Sequence, residues 1–142
     1  MPYKFVEGLT RADVAFEVKG KNINQFFEDS ALALFDIMAN PKKVNKKIKK
    51  KFQIEKSNIE ELMYAFLDEI IFLKDKDALV FNSSKINIKE NNKELKLKAT
   101  LFGDRINHEK QELRVDPKAV TMHKFLVKKE KGNYIARVII DI

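Results

Sequence analysis

The stretch DVAFEVKGKNINQFFEDSALALFDIM, residues 13–38, changes its apolar period in the middle, and that change decides the fold class. Val14, Phe16 and Val18 alternate with Ala15, Glu17 and Lys19, the period of a strand with one buried face. Asp13 has the opposite parity, so its side chain is expected to point away from the core near the start of the strand. Gly20-Lys21-Asn22 supplies a turn and an N-cap. From there Ile23, Phe26, Phe27, Ala31, Leu34, Phe35 and Met38 fall on one stripe of a helix that ends near Asn40-Pro41.

Working outward, Val44, Ile48, Phe52 and Ile54 share a parity while Lys47, Lys49 and Lys51 take the other, as in an edge strand whose lysines discourage edge-to-edge pairing. Ser57-Asn58-Ile59-Glu60 reads as a capping box with the Ser57 hydroxyl as cap. It opens a second helix whose apolar face runs through Leu62, Met63, Phe66, Leu67, Ile70 and Ile71 to about Lys74, where Asp75-Lys76-Asp77 breaks the pattern. Strands follow: Ile86 and Ile88, then Leu95, Leu97, Ala99 and Leu101, around a tip at Glu90-Asn91-Asn92-Lys93. After a polar loop from Gly103 to Pro117, Lys118 to Lys128 and Asn133 to Asp141 form a last pair around Lys131-Gly132. The expected architecture is α+β: a two-layer sandwich with a mixed β-sheet and two main helices packed on one face, in one domain spanning residues 1–142.

The composition excludes several classes of chemistry. With no Cys among 142 residues, disulfides, thiolate metal sites and a nucleophilic thiol are ruled out. The start, Met1-Pro2-Tyr3-Lys4, lacks the apolar core of a signal peptide and no apolar run approaches a membrane span, so a cytoplasmic protein without a membrane partner is expected. The net charge of +7 favours polyanionic partners without choosing among them. Phosphate-loop, dinucleotide-binding, zinc-protease and nucleophile-elbow motifs are missing. His108 and His123 have no second His near them in sequence, and lone histidines are ordinarily surface or satisfied core residues. The acidic pairs Glu60-Glu61 and Asp68-Glu69 read as solvated helix positions.

The far end of the chain is less ordinary. Val138-Ile139-Ile140-Asp141-Ile142 runs an apolar strand straight into an acid, placing acidic oxygens on two adjacent residues. If the N-terminal strand lies beside the C-terminal one, Asp13 completes an all-oxygen cluster, whose mutual repulsion a bound cation would relieve. Such ligands suit Ca2+ or Mg2+ and not zinc.

Thr10-Arg11-Ala12-Asp13-Val14, Ala31-Leu32-Ala33-Leu34-Phe35-Asp36-Ile37-Met38, Ala78-Leu79-Val80-Phe81, Lys118-Ala119-Val120-Thr121-Met122-His123 and the final Asp141-Ile142 together resemble the archease family, in order and spacing along nearly the whole chain. The resemblance implies a metal-binding accessory protein of the GTP-dependent RNA ligase of tRNA splicing and RNA repair. Such a protein promotes guanylylation of the ligase's active-site histidine and multiple turnover, without being an enzyme itself. It also implies a metal site of Asp13, Asp141 and Ile142, the last through main-chain oxygen, with Ca2+ as the ion and Mg2+ or another hard divalent cation as substitutes. The ligase is then the expected partner, with RNA bound indirectly or weakly and the oligomeric state left open. Two departures stand out: the family's His in the first motif is missing from Leu9-Thr10-Arg11-Ala12-Asp13, and the family's Arg/Lys-His-Glu appears as Lys110-Gln111-Glu112.

Three other readings compete. A basic RNA-binding module would use the run from Lys42 to Lys51 with Lys96 and Lys98. A chaperone-like binder would expose some of the eleven Phe. A hydrolase would need His123, Asp116 and a metal.

Overall fold

A computed structural model describes residues 3–7 and 12–142, so Leu9, Thr10 and Arg11 of the N-terminal motif lie outside the described residues. The elements are β1 (Tyr3–Val6), β2 (Asp13–Gly20), α1 (Ile23–Met38), a single 3-10 turn (Pro41–Lys43), β3 (Ile48–Lys56), α2 (Ile59–Asp77), β4 (Leu79–Asn91), β5 (Glu94–Arg105), β6 (Ala119–Glu130) and β7 (Asn133–Asp141). The fold is α+β, as expected. The expected single mixed sheet is instead two sheets, ordered β1-β2-β7-β6 and β3-β5-β4, and every strand pairing among the described residues is antiparallel. The segment before Gly20 is accordingly two strands, β1 folding back on β2 with Tyr3 opposite Val18.

Both sheets turn their apolar faces to the helices. Phe16 and Val18 of β2, Ala136, Val138 and Ile140 of β7, and Leu97, Ala99 and Leu101 of β5 are buried with Phe26, Phe27, Leu34 and Phe35 of α1 and Leu62, Met63, Phe66 and Leu67 of α2 in one core. Helix α1 packs on β2 and β4, while α2 packs on β6 and β3. The free edge of β4 is closed by α1, because Asn24 Oδ1 accepts from the Ile88 amide at 2.9 Å and Glu28 Oε2 from the Ile86 amide at 3.1 Å. An edge covered in this way cannot recruit another strand. Edge strand β3 keeps Lys49 and Lys51 exposed, as its parity predicted.

Local signals behave as their chemistry demands, with one shift. Asn22 caps α1 by accepting from the Gln25 amide at 3.0 Å. For α2 the cap is Asn58 and not Ser57: Asn58 Oδ1 accepts from the Glu61 amide at 2.8 Å, while the Ser57 hydroxyl donates to the Glu61 carboxylate at 3.2 Å. The helix also passes Lys74 and ends at Asp77, where Ala78 takes a left-handed conformation (φ 54°) and donates its amide to the Lys74 carbonyl. Asn92 (φ 48°) with Lys93 (φ 70°), and Lys131 (φ 51°) with Gly132 (φ 81°), turn the two late hairpins in the left-handed region such tight turns require. No helix among the described residues is long and apolar enough to cross a membrane.

Asn58→Ala should lower unfolding stability by about 1 kcal/mol, the ordinary worth of an N-cap, and Ser57→Ala by clearly less. Urea unfolding of both variants checks this, and a larger loss for Ser57→Ala would restore the capping box predicted from the sequence. Gly103 lies opposite Ile48 and Phe81, where an added Cβ would meet the Val80 carbonyl oxygen at 2.0 Å and the Phe81 Cα at 2.9 Å. Gly103→Ala should therefore cost on the order of 1–3 kcal/mol in the same assay, and an unchanged midpoint would contradict the close approach.

Candidate metal centre

Strands β2 and β7 pair from Gly20 opposite Tyr134 through to Asp13 opposite Asp141. Directly opposed residues of an antiparallel pair project from the same face, with Cβ atoms about 4.5–5.5 Å apart. The core face takes Val14 opposite Ile140 and Phe16 opposite Val138, so Asp13 and Asp141 share the other face. Asp141 is exposed, Asp13 is half-buried, and Asp13 Oδ1 is shut off from solvent. The ladder continues one step further, because the Ile142 amide donates to the Ala12 carbonyl at 2.9 Å. The Ile142 side chain is partly buried against the core, which fixes its main chain from both sides. The three residues expected at the metal site are thus brought together.

Like charges directly opposite one another in a sheet destabilise it, and here the opposition is built into the register. Among the described residues no three His, Cys, Asp or Glu side chains gather to hold an ion. The tip instead offers two carboxylates, and any third ligand must be main-chain oxygen from Ile142. Oxygen donors of this kind fit a hard cation such as Ca2+ or Mg2+, so the residues present are chemically suited to the metal the sequence suggested.

Residues the sequence reading passed over hold this tip in place. Lys74, on the last turn of α2, is only 5% exposed; it pairs with Asp116 and with Asp75 (2.7 Å) and donates to the Pro117 carbonyl at 2.8 Å. The next residue, Lys118, donates its amide to the Asp141 carbonyl at 2.7 Å. A buried lysine on α2 thereby positions the strand that flanks Asp141. The signal was available in the sequence, because Lys74 lies four residues beyond Ile70 on the apolar stripe.

Upstream, the loop is tied to α1: Arg114 pairs with Asp36 and with Glu112 (2.6 Å), and donates to the Asp36 carbonyl at 2.9 Å. The hydrogen bond from Arg114 holds the Glu112 carboxyl below the usual carboxylate range. Tyr3, donating to Asp36 at 3.1 Å, is pushed up to about 12 by burial and by the Asp36 charge. Gln111 is buried and serves the loop itself, accepting from the Asn107 amide at 2.8 Å and donating to the Arg105 carbonyl at 2.9 Å. His108 and His123 are exposed, and Asp116 is engaged by Lys74.

Removing one of the two opposed charges separates repulsion from ligation. In Asp13→Asn the opposed like-charge pair, which costs on the order of 1 kcal/mol, is gone together with one carboxylate ligand. The same change should abolish the rise that millimolar Ca2+ gives the unaltered protein. A variant stabilised by Ca2+ as strongly as the parent would contradict the site.

The sequence profile of the Archease protein family (MTH1598/TM1083) matches residues 3–142. The archease of Sulfolobus acidocaldarius is 34% identical over 131 residues, covering 92% of this chain and 93% of that protein. The archease of Archaeoglobus fulgidus is 32% identical over 142 residues, covering all of both. The solution structure of Methanobacterium thermoautotrophicum protein 1598 superposes with a TM-score of 0.85 at 32% identity over 99% of each chain. The crystal structure of a Thermotoga maritima archease, described there as a possible chaperone, shares the fold with a TM-score of 0.63 at 18% identity, over 94% of this chain and 93% of that one. On the match across residues 3–142 and on relatives of this identity and coverage, the chain belongs to the archease family.

Proposed function

We propose that this archease is a cytoplasmic accessory protein of a GTP-dependent RNA ligase, promoting guanylylation of the ligase and its repeated turnover while catalysing no step itself. The observation that carries the reading is the register that sets Asp13 opposite Asp141 beside Ile142. Asp13, Asp141 and main-chain oxygen of Ile142 hold a hard cation, Ca2+ first and Mg2+ second. When bound, such an ion offsets phosphate charge, which is the charge a guanylyl transfer must manage. The chain's own work is positional: the Asp141 carboxylate is presented outward, and Lys74 and the Lys118 amide keep the two strand ends from separating. A site on paired strands keeps its geometry better than one on a loop, which suits a tip that must fit into a partner.

Two of the rival readings find less support. Phe16, Phe26, Phe27, Phe35, Phe66 and Phe81 are fully buried, so six of the eleven Phe that a chaperone-like binder could expose lie inside the core. The hydrolase reading would require Asp116 to serve His123, but Asp116 is committed to Lys74.

In a guanylylation assay of the cognate ligase with GTP, adding this protein with Ca2+ should raise the rate of ligase-guanylate formation. Asp13→Ala, shown to be folded by an unaltered circular dichroism spectrum, should lose that stimulation by on the order of tenfold or more, equivalent to about 1.4 kcal/mol of barrier. Full stimulation by the folded variant would overturn the proposal.

A further inference from the structure

The helix-free face of the β3-β5-β4 sheet has an organisation of its own. Register places Lys51 beside Thr100 and Lys85, Gln53 beside Lys98 and Asn87, and Glu55 beside Lys96 and Lys89, while Lys49 adjoins Phe102 and Ser83. Residues directly opposed share a face, and Phe52, Ile54, Leu97, Ala99, Ile86 and Ile88 of the other parity turn inward, so these four rows form the outer surface. Lys49, Lys51, Lys85, Lys89, Lys96 and Lys98 are all exposed, and none takes part in an ion pair among the described residues. By strand geometry the rows repeat every ~6.7 Å and the strands every ~4.8 Å, so six ammonium groups occupy about 10 Å by 20 Å, with acids only at one end, where Glu55 meets Glu94 of the adjoining row. Charges of one sign so crowded raise the local counter-ion concentration, and they persist at a cost in self-repulsion that a polyanion would relieve.

Two details choose among polyanions. Phe102 stands half-buried in the end row, with the Lys46 and Lys49 ammonium groups 5.4 and 5.9 Å from its ring centre. An aromatic ring amid lysines on a sheet surface offers a base a stacking platform alongside phosphate contacts. The same row ends at Ser83, which lines a cavity of about 750 Å3 with Lys42 and Lys46, and there Asp36 is already matched by Arg114, so the two lysines carry positive charge beyond the sheet edge. A lipid surface would be gripped by exposed apolar anchors as well, and the exposed large apolar residues Phe5, Phe72, Ile106, Val115 and Met122 all lie elsewhere.

We propose that the outer face of β3-β5-β4 is an RNA-docking surface, in which Lys51, Lys85, Lys96 and Lys98 bind the phosphate backbone and Phe102 stacks an unpaired base. The choice of RNA rests on the ligase-accessory reading; the basic face itself does not. The surface would hold the RNA being joined while the Asp13 and Asp141 end serves the ligase.

Fluorescence anisotropy with the full chain, no ligase, and labelled single-stranded RNA and an RNA hairpin tests this. Lys51→Gln/Lys85→Gln/Lys98→Gln should weaken single-strand binding at least tenfold in about 0.1 M salt and lower the log-log salt slope by about two, near 0.7 per lysine. The equally charged control Lys21→Gln/Lys110→Gln/Lys131→Gln should lose less than threefold. Phe102→Ala should weaken the single strand by on the order of tenfold and the hairpin much less. The proposal is overturned by no RNA binding in 50 mM salt, by equal losses in the two triple variants, or by phosphatidylserine vesicles binding as tightly as RNA. The triple face variant should still stimulate guanylylation, which needs no RNA, and Asp13→Ala should still bind RNA; failure of guanylylation stimulation alone would thus count against the ligase reading and leave this one standing.

Discussion

Antiparallel pairing of β2 with β7 is the constraint on which the rest depends. Once Phe16 faces Val138 and Val18 faces Ala136 in the core, parity leaves Asp13 and Asp141 no place except side by side on the opposite face. The apolar burial that stabilises the core therefore also holds two carboxylates at a separation they would not choose in water. A slip of one residue would turn Phe16 and Val18 outward, which burial forbids. The register that forms the acidic pair is in this sense enforced by the hydrophobic core, and the repulsion is offset by interactions made elsewhere.

That arrangement explains the weight of contacts around residues 111–118. Gln111 shapes the loop, Arg114 anchors it to Asp36, and Lys74 fixes Pro117 one residue before Lys118 bonds the Asp141 carbonyl. A fixed tip would otherwise spread, because the strand ends carry like charge. The basic face of the other sheet carries the opposite sign, so the +7 of the whole chain is divided between surfaces of different character.

Much of this was legible from local chemistry. Val14, Phe16 and Val18 declared a half-buried strand, Asn22 a cap, Lys49 and Lys51 an edge, and Asn92-Lys93 and Lys131-Gly132 the tight turns, because each signal is decided by a residue and its near neighbours. Asp13 and Asp141 could be singled out by parity and by their position at a strand end, although their meeting needed the family resemblance or the register itself. The division into two sheets was not legible, since it depends on which edges pair and on α1 reaching across with Asn24 and Glu28 to close β4. The shift of the α2 cap from Ser57 to Asn58 turned on which of two adjacent polar residues reaches the Glu61 amide. The place of Lys74 on the apolar stripe was legible, but its partners were not: Asp116 and Pro117 are some forty positions away in sequence, and only tertiary structure brings them to its ammonium group.

The central claim is that the ends of β2 and β7 form one cation-binding tip. Titrating Ca2+ into 15N-labelled protein and following the amide resonances tests it most directly. The account predicts saturable shifts concentrated at Ala12, Asp13, Lys118, Asp141 and Ile142. Shifts centred on another acidic group such as Asp75 and Asp116, or none at millimolar Ca2+, would contradict it.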